Sequence, residues 1–158
     1  TDSGRREIIG QPVFIAGEPH YFNPAAIECT GPAVIDPLRP QFYTATANLR
    51  YGMADQWNRG HRWQCGLPMY TAVNTIRPPN KENCQGHDSD GREGTNTAAS
   101  RHQGGCHVLM ADGAVRFITD SIEAGNQNAG ITVRGMQSPY GLWGALGTLD
   151  SKESRQLE

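Results

Sequence analysis

The stretch Ser100-Arg-His-Gln-Gly-Gly-Cys-His-Val-Leu-Met-Ala-Asp-Gly-Ala-Val-Arg-Phe-Ile118 decides how this chain folds. Nine residues separate His102 from the pair Asp112-Gly113. Val108-Leu-Met110 and Val115-Arg-Phe-Ile118 are short β-rich runs, and the Asp-Gly pair between them favours a two-residue turn with positive φ. Gly104-Gly105 supplies a bend just ahead. The expectation is a tight hairpin preceded by a glycine bend and a histidine.

Composition sets the frame around that hairpin. At 158 residues the chain is the size of one domain and can bury a workable core. That core is lean: 37% of residues are hydrophobic, mean hydropathy is -0.58, and 19 glycines with 10 prolines supply many turns. The balance predicts an α+β fold, mainly short antiparallel β-strands with short helices and long loops. So lean a core calls for added restraint from disulfides, a metal or neighbouring chains. A formal charge of -2 with no basic run excludes the electrostatic footprint of nucleic-acid binding. Apolar runs of no more than about five residues are too short to span a membrane. Four cysteines, Cys29, Cys65, Cys84 and Cys106, permit three pairings, and the absence of a CxxC spacing gives a thiolate zinc site little support.

Working outward, Pro12-Val-Phe-Ile-Ala16 reads as a strand, at a sheet edge because Pro12 donates no ladder hydrogen bond. Asn23-Pro-Ala-Ala-Ile-Glu-Cys29 has a cap residue and a proline at the first helical position, which predicts a short helix. Residues 30–48, broken by Pro32, Pro37 and Pro40, read as a surface loop, and 49–57 as one or two helical turns. Residues 61–80 read as strand with loop, and the polar segment 81–99 as a surface loop. Thr119 or Asp120 would cap a single-turn helix ending at Gly125. Leu142-Trp-Gly-Ala-Leu146 is a compact apolar patch, and residues 149–158 form a polar, frayed tail. The whole, residues 1–158, is one globular domain.

The hairpin pattern resembles the prepilin-type H-X9-DG domain family (DUF1559), found mainly in planctomycete bacteria. Arg59-Gly-His-Arg-Trp63, Pro68-Met-Tyr-Thr71, Asn74-Thr-Ile-Arg-Pro-Pro-Asn80 and Cys84 look like that family's approach to the motif. Asp120-Ser-Ile-Glu123 and Ser138-Pro-Tyr-Gly-Leu-Trp-Gly-Ala-Leu-Gly-Thr148 look like its ending. The resemblance covers about residues 20 to 150 and corresponds to the later half of a family member, whose prepilin leader, long hydrophobic helix and first half would lie upstream. It implies a pilin-like globular domain of an exported structural protein at the cell surface. Such a protein would have copies of itself and its own upstream half as partners, and would meet a membrane only through that upstream helix. In an exported protein the default for four cysteines is two disulfides. Cys29 and Cys84 fall where family members often carry cysteine, whereas Cys65 and Cys106 replace other residues. The resemblance therefore implies the pairings Cys29–Cys84 and Cys65–Cys106.

His102 is the first candidate for chemistry, since histidine serves as acid, base or metal ligand near neutral pH. Catalysis also needs a nucleophile with an orienting carboxylate, or a metal with an open position, and Ser100 beside His102 resembles no nucleophile elbow. The structural alternative has His102 hydrogen-bonding hairpin backbone and fixing the Gly104-Gly105 bend, with Asp112 and Gly113 serving the turn. Asp88 and Asp90 are spaced like the first ligands of a calcium loop, with Glu93 beyond, but Ala99 stands where an EF-hand needs its glutamate. A solvated loop competes with an irregular Ca²⁺ site there. His87, His102 and His107 are not expected to form a metal cluster, because no helix or strand periodicity brings 102 and 107 together. Trp57, Trp63 and Trp143, with Tyr43, Tyr51, Tyr70 and Tyr140, would form either a sugar platform or, more in keeping with a lean core, the core itself. The function expected is a non-enzymatic, self-assembling structural subunit. The rivals are a carbohydrate-binding surface module built around Trp57 or Tyr43, and a secreted hydrolase.

Overall fold

A computed structural model describes residues 7–9, 12–14, 29–47, 49, 59–85, 94–130 and 133–148. In chain order its elements are β1 (Pro12–Phe14), α1 (Pro68–Thr71), β2 (Asn83–Gln85), β3 (Gly94–Thr95), β4 (Gly105–Leu109), β5 (Val115–Thr119) and α2 (Gly141–Leu146). The strands form two small sheets, one ordered β1-β2-β3 and the other a β4-β5 hairpin. This is the expected α+β arrangement of short elements and long connections. β1 lies at a sheet edge, where a proline is tolerated, and pairs parallel to β2, while β2–β3 and β4–β5 are antiparallel.

The hairpin forms at the expected place with a different turn. Met110 N–H donates to Ala114 O at 2.8 Å and Gly113 N–H to Met110 O at 3.0 Å, leaving three residues in the loop rather than two. Gly113 sits at φ 86° while Asp112 does not share a positive φ. A β-turn followed by one left-handed residue is the usual three-residue hairpin, and glycine meets it without a Cβ penalty. Asp112 Oδ1 accepts from Ala114 N–H at 2.8 Å, so the aspartate closes the loop from its side chain. At the other end Gly105 has no freedom to change, because a Cβ there would lie 2.1 Å from the Ile118 carbonyl oxygen.

Register assigns the hairpin two faces. Cys106, Val108 and Ile118 point inward, and Ile118 packs with Ala124 and Trp143. His107, Leu109, Val115 and Phe117 share the outer face. Two further apolar clusters form among the described residues: Ile8, Tyr43, Ala47 and Leu49, and the smaller pair Ile76 with Tyr140. Trp143 and Tyr70, 2% exposed each, belong to the core as expected. Tyr43 is 1% exposed and offers nothing to a sugar, so the reading of it as a platform residue is corrected. The loop around it is tied down by bridges from Ile35 to Tyr43 and from Glu7 to Phe42.

Several expectations change in the middle of the chain. Residues 61–80 contain no strand; Pro68 opens the single turn α1, and Arg59 donates to Met69 O and Ala72 O at its end. Residues 119–122 make one β-turn, not a helix. The segment 81–99 is no surface loop at its two ends, since residues 82–85 and 95–97 are buried. Polarity misleads here because the side chains bond one another. Asn83 Oδ1 accepts from Thr97 N–H at 2.9 Å, Thr97 Oγ1 donates to Lys81 O at 2.9 Å, and Arg77 pairs with Glu82 inside the fold. The indole N–H of Trp143 donates to Arg77 O at 2.8 Å, and Asn83 N–H to the Tyr43 hydroxyl at 3.3 Å. Residues 76–85 therefore join all three clusters. The expected helix at 23–28, the turns at 50–57 and the tail 149–158 fall outside the described residues.

Cys29 and Cys84 form the disulfide implied by the resemblance, with Cα atoms 5.9 Å apart. It fastens the start of the Tyr43 loop to the middle residue of β2, which also pairs with Val13 and Thr95. Cys65 and Cys106 are free thiols, so the second implied disulfide is not made. Cys106 is buried on the inner face of β4, whereas Cys65 lies half-buried in the turns before α1.

A buried ion pair with one partner removed leaves the other charge unsolvated. Glu82→Ala should therefore lower stability by about 3–5 kcal/mol, while the double replacement Arg77→Met with Glu82→Leu should cost clearly less. Urea denaturation checks this, and equal losses for single and double variants would show that the pair's charge is not what matters.

Candidate functional site

The described residue that departs most from ordinary backbone geometry is Asn80, at φ 61° and the only non-glycine with positive φ among them. Asparagine tolerates this left-handed region better than most residues. Its bonds hold it there: Asn80 N–H donates to Ala98 O, Nδ2 donates to Asp120 Oδ1, and Oδ1 accepts from Ser100 N–H, each at 2.8 Å. One side chain thus ties the 76–85 segment to both ends of the hairpin. Asp120 N–H adds a bond to Gly104 O at 2.9 Å, closing the base of the hairpin under the glycine bend.

Beside this knot opens a cleft of about 430 Å³. Its lining combines apolar Ile8, Ile9, Ile35 and Pro40 with polar Asn80, Lys81, Ser100, His102 and Asp120. Most of the charges along it are already engaged. Glu82 pairs with Arg77, and Arg101 approaches Glu7 Oε2 at 2.6 Å. That last contact is close but poorly aligned, because the same oxygen has no hydrogen-bond donor, and Arg101 is 71% exposed. A pair so open to water contributes little.

His102 lines the cleft together with Ser100 and Asp120. Its backbone N–H donates to Ser100 Oγ at 3.2 Å, so the serine hydroxyl caps a turn. Asp120 receives the Asn80 amide. The expected bond from the His102 ring to hairpin backbone is absent among the described residues. The ring instead stands edge-on to His107, centroids 6.4 Å apart and planes at 86°. The Gly104 bend, at φ 82°, folds residue 102 back over β4, which corrects the expectation that 102 and 107 stay apart. His107 then meets Phe117, its cross-strand partner, at 5.1 Å. Bend geometry rather than periodicity makes this pair, so no periodic signal in the sequence could reveal it.

The other candidates separate from this region. Asp88, Asp90 and Glu93, with His87 and Trp57, lie outside the described residues. Among those described, no three His, Cys, Asp or Glu side chains are grouped to hold a metal ion. Trp63 is 78% exposed, in the turns before α1. Burial pushes the Cys106 thiol above its ordinary value, with Asp120 adding to the effect. Burial likewise draws the Arg77 guanidinium down to about 10, which leaves it charged at neutral pH.

Residues 23–125 match a family model, SBP_bac_10, described as a protein of unknown function (DUF1559). No curated protein and no solved structure matches the chain.

The thiols give a direct check on this arrangement. In native protein without reductant, a disulfide-exchange reagent should modify Cys65 quickly and Cys106 only after unfolding, and Cys65→Ser should abolish the fast phase. No reactive thiol in denatured, unreduced protein would mean that the two are bonded after all.

Proposed function

The chain belongs to the SBP_bac_10 (DUF1559) family of proteins of unknown function, and on that premise we propose that it is a non-catalytic structural domain of an exported, pilin-like subunit that assembles with copies of itself outside the cell. The observation that carries the proposal is the outer face of the β4–β5 hairpin. Leu109 is 72% exposed, Val115 64% and Phe117 46%, and register places all three on one side of the sheet. Scattered exposed apolar residues are ordinary, but an adjacent set on a rigid strand pair marks an association surface. The hairpin is a two-stranded sheet with both outer edges lacking a ladder partner among the described residues, and unpaired edges are templates for a neighbouring strand.

Other features agree with this reading. The Cys29–Cys84 disulfide suits an oxidising compartment. Among the described residues no helix is long and apolar enough to cross a membrane. Catalysis draws no support from His102, whose neighbours are a capping serine and an amide-bound aspartate. The cleft sustains a second reading as a small-ligand module, because an apolar lining with a few polar groups is the common form of a binding site.

Leu109→Glu with Val115→Glu should leave the hairpin folded, since both side chains already face water, and should abolish self-association. Sedimentation velocity and electron microscopy of the assembled protein test it. Assemblies undiminished by both charges would sink the proposed face. A wild-type chain that never associates, yet binds oligosaccharide with chemical-shift changes confined to the cleft, would establish the second reading instead.

A further inference from the structure

We propose that His102 and His107 form half of a binding site for a divalent transition-metal ion, completed by the same two histidines of a second copy. The inference rests on the self-association reading above. Two exposed imidazoles stand edge-on with centroids 6.4 Å apart, held in sequence by the Gly104 bend and in space by the β4 ladder. Two imidazoles sharing one tetrahedral ion, each with a ring nitrogen at about 2.0–2.1 Å, have centroids roughly 5 Å apart. The rings need to approach by only about 1 Å, within the reach of small rotations about the side-chain torsions of exposed residues. Imidazole suits zinc, copper and nickel, which fixes the class of ion.

The pair fills half of such a shell, and no third ligand joins it among the described residues. A second copy can supply the remaining ligands. His107 sits on the same face as Leu109, Val115 and Phe117, so a copy docking on that face brings its own pair with it. A two-fold contact is self-complementary, so a pair near its axis on one copy meets the same pair on the other. Two pairs make the four-coordinate nitrogen shell that zinc accepts. Phe117 at 5.1 Å from His107 gives the site one apolar flank.

The test uses tag-free protein stripped with chelator, then titrated with Zn²⁺ under calorimetry and sedimentation velocity. Binding of one ion per two chains, with conversion of monomer to dimer, is the expected result. Co²⁺ in place of zinc should give the visible absorption of a tetrahedral nitrogen site. His102→Ala and His107→Ala should each abolish both responses without changing the circular dichroism, since both side chains are exposed. Zinc binding undiminished in the two variants, or no change in mass on adding zinc, would overturn the site. The Leu109→Glu, Val115→Glu variant separates the two ideas. Zinc-driven pairing that persists there keeps the metal site and removes the apolar face, whereas wild-type assembly unchanged by zinc, by chelator and by both histidine substitutions keeps the face and removes the metal.

Discussion

A guanidinium buried to 1% exposure with a carboxylate as its partner is the constraint on which this fold rests. The Arg77–Glu82 pair lies in a segment whose other groups reach in every direction: Arg77 O to the Trp143 indole, Asn80 to Asp120 and Ser100, Asn83 to Tyr43 and Thr97, Cys84 to Cys29. Three small apolar clusters would otherwise be separate patches. A polar spine is a demanding solution, because each buried group must find a partner at the cost of its hydration. Arg77 Nε and Asn83 Nδ2 have no hydrogen-bond partner among the described residues.

From that spine outward, the hairpin forms its own two-stranded sheet. Its inner face is sealed by Ile118 against Trp143 and Ala124, and its base is tied by Asn80 and Asp120. Its outer face carries no cover among the described residues. A fastened side beside an open side would suit the proposed self-association, because a surface offered to a neighbour must keep its shape before contact. The cleft beside the base shares these fastenings, and the same hydrogen bonds therefore set the shape of both surfaces.

How much of this was legible in the sequence follows from the physics of each element. The hairpin was, because β-rich runs around Asp-Gly are a local signal; its three-residue loop was not, because the Asp112 carboxylate closes it from the side. The Trp143 patch was legible as core from its composition. The buried ends of segment 81–99 were not, since asparagine, threonine and glutamate look like solvent-facing residues until their partners at distant positions are known. The Cys29–Cys84 bond came through resemblance to a family, and the same route misjudged Cys65 and Cys106, where two replacements by cysteine signify separate environments instead of a pair. His102 was recognisable as a candidate, but its place beside His107 depends on one glycine dihedral.

The division of the interior into three small clusters has a thermal consequence. Exposure of apolar surface raises the heat capacity on unfolding, and exposure of polar surface lowers it. A domain held together by a polar spine between modest apolar patches releases a mixture weighted toward the second kind. Its heat-capacity increment per residue should sit toward the low side of the globular range, and its stability should change more gently with temperature on either side of the maximum. Such a curve would let the domain keep its form through wide swings in temperature.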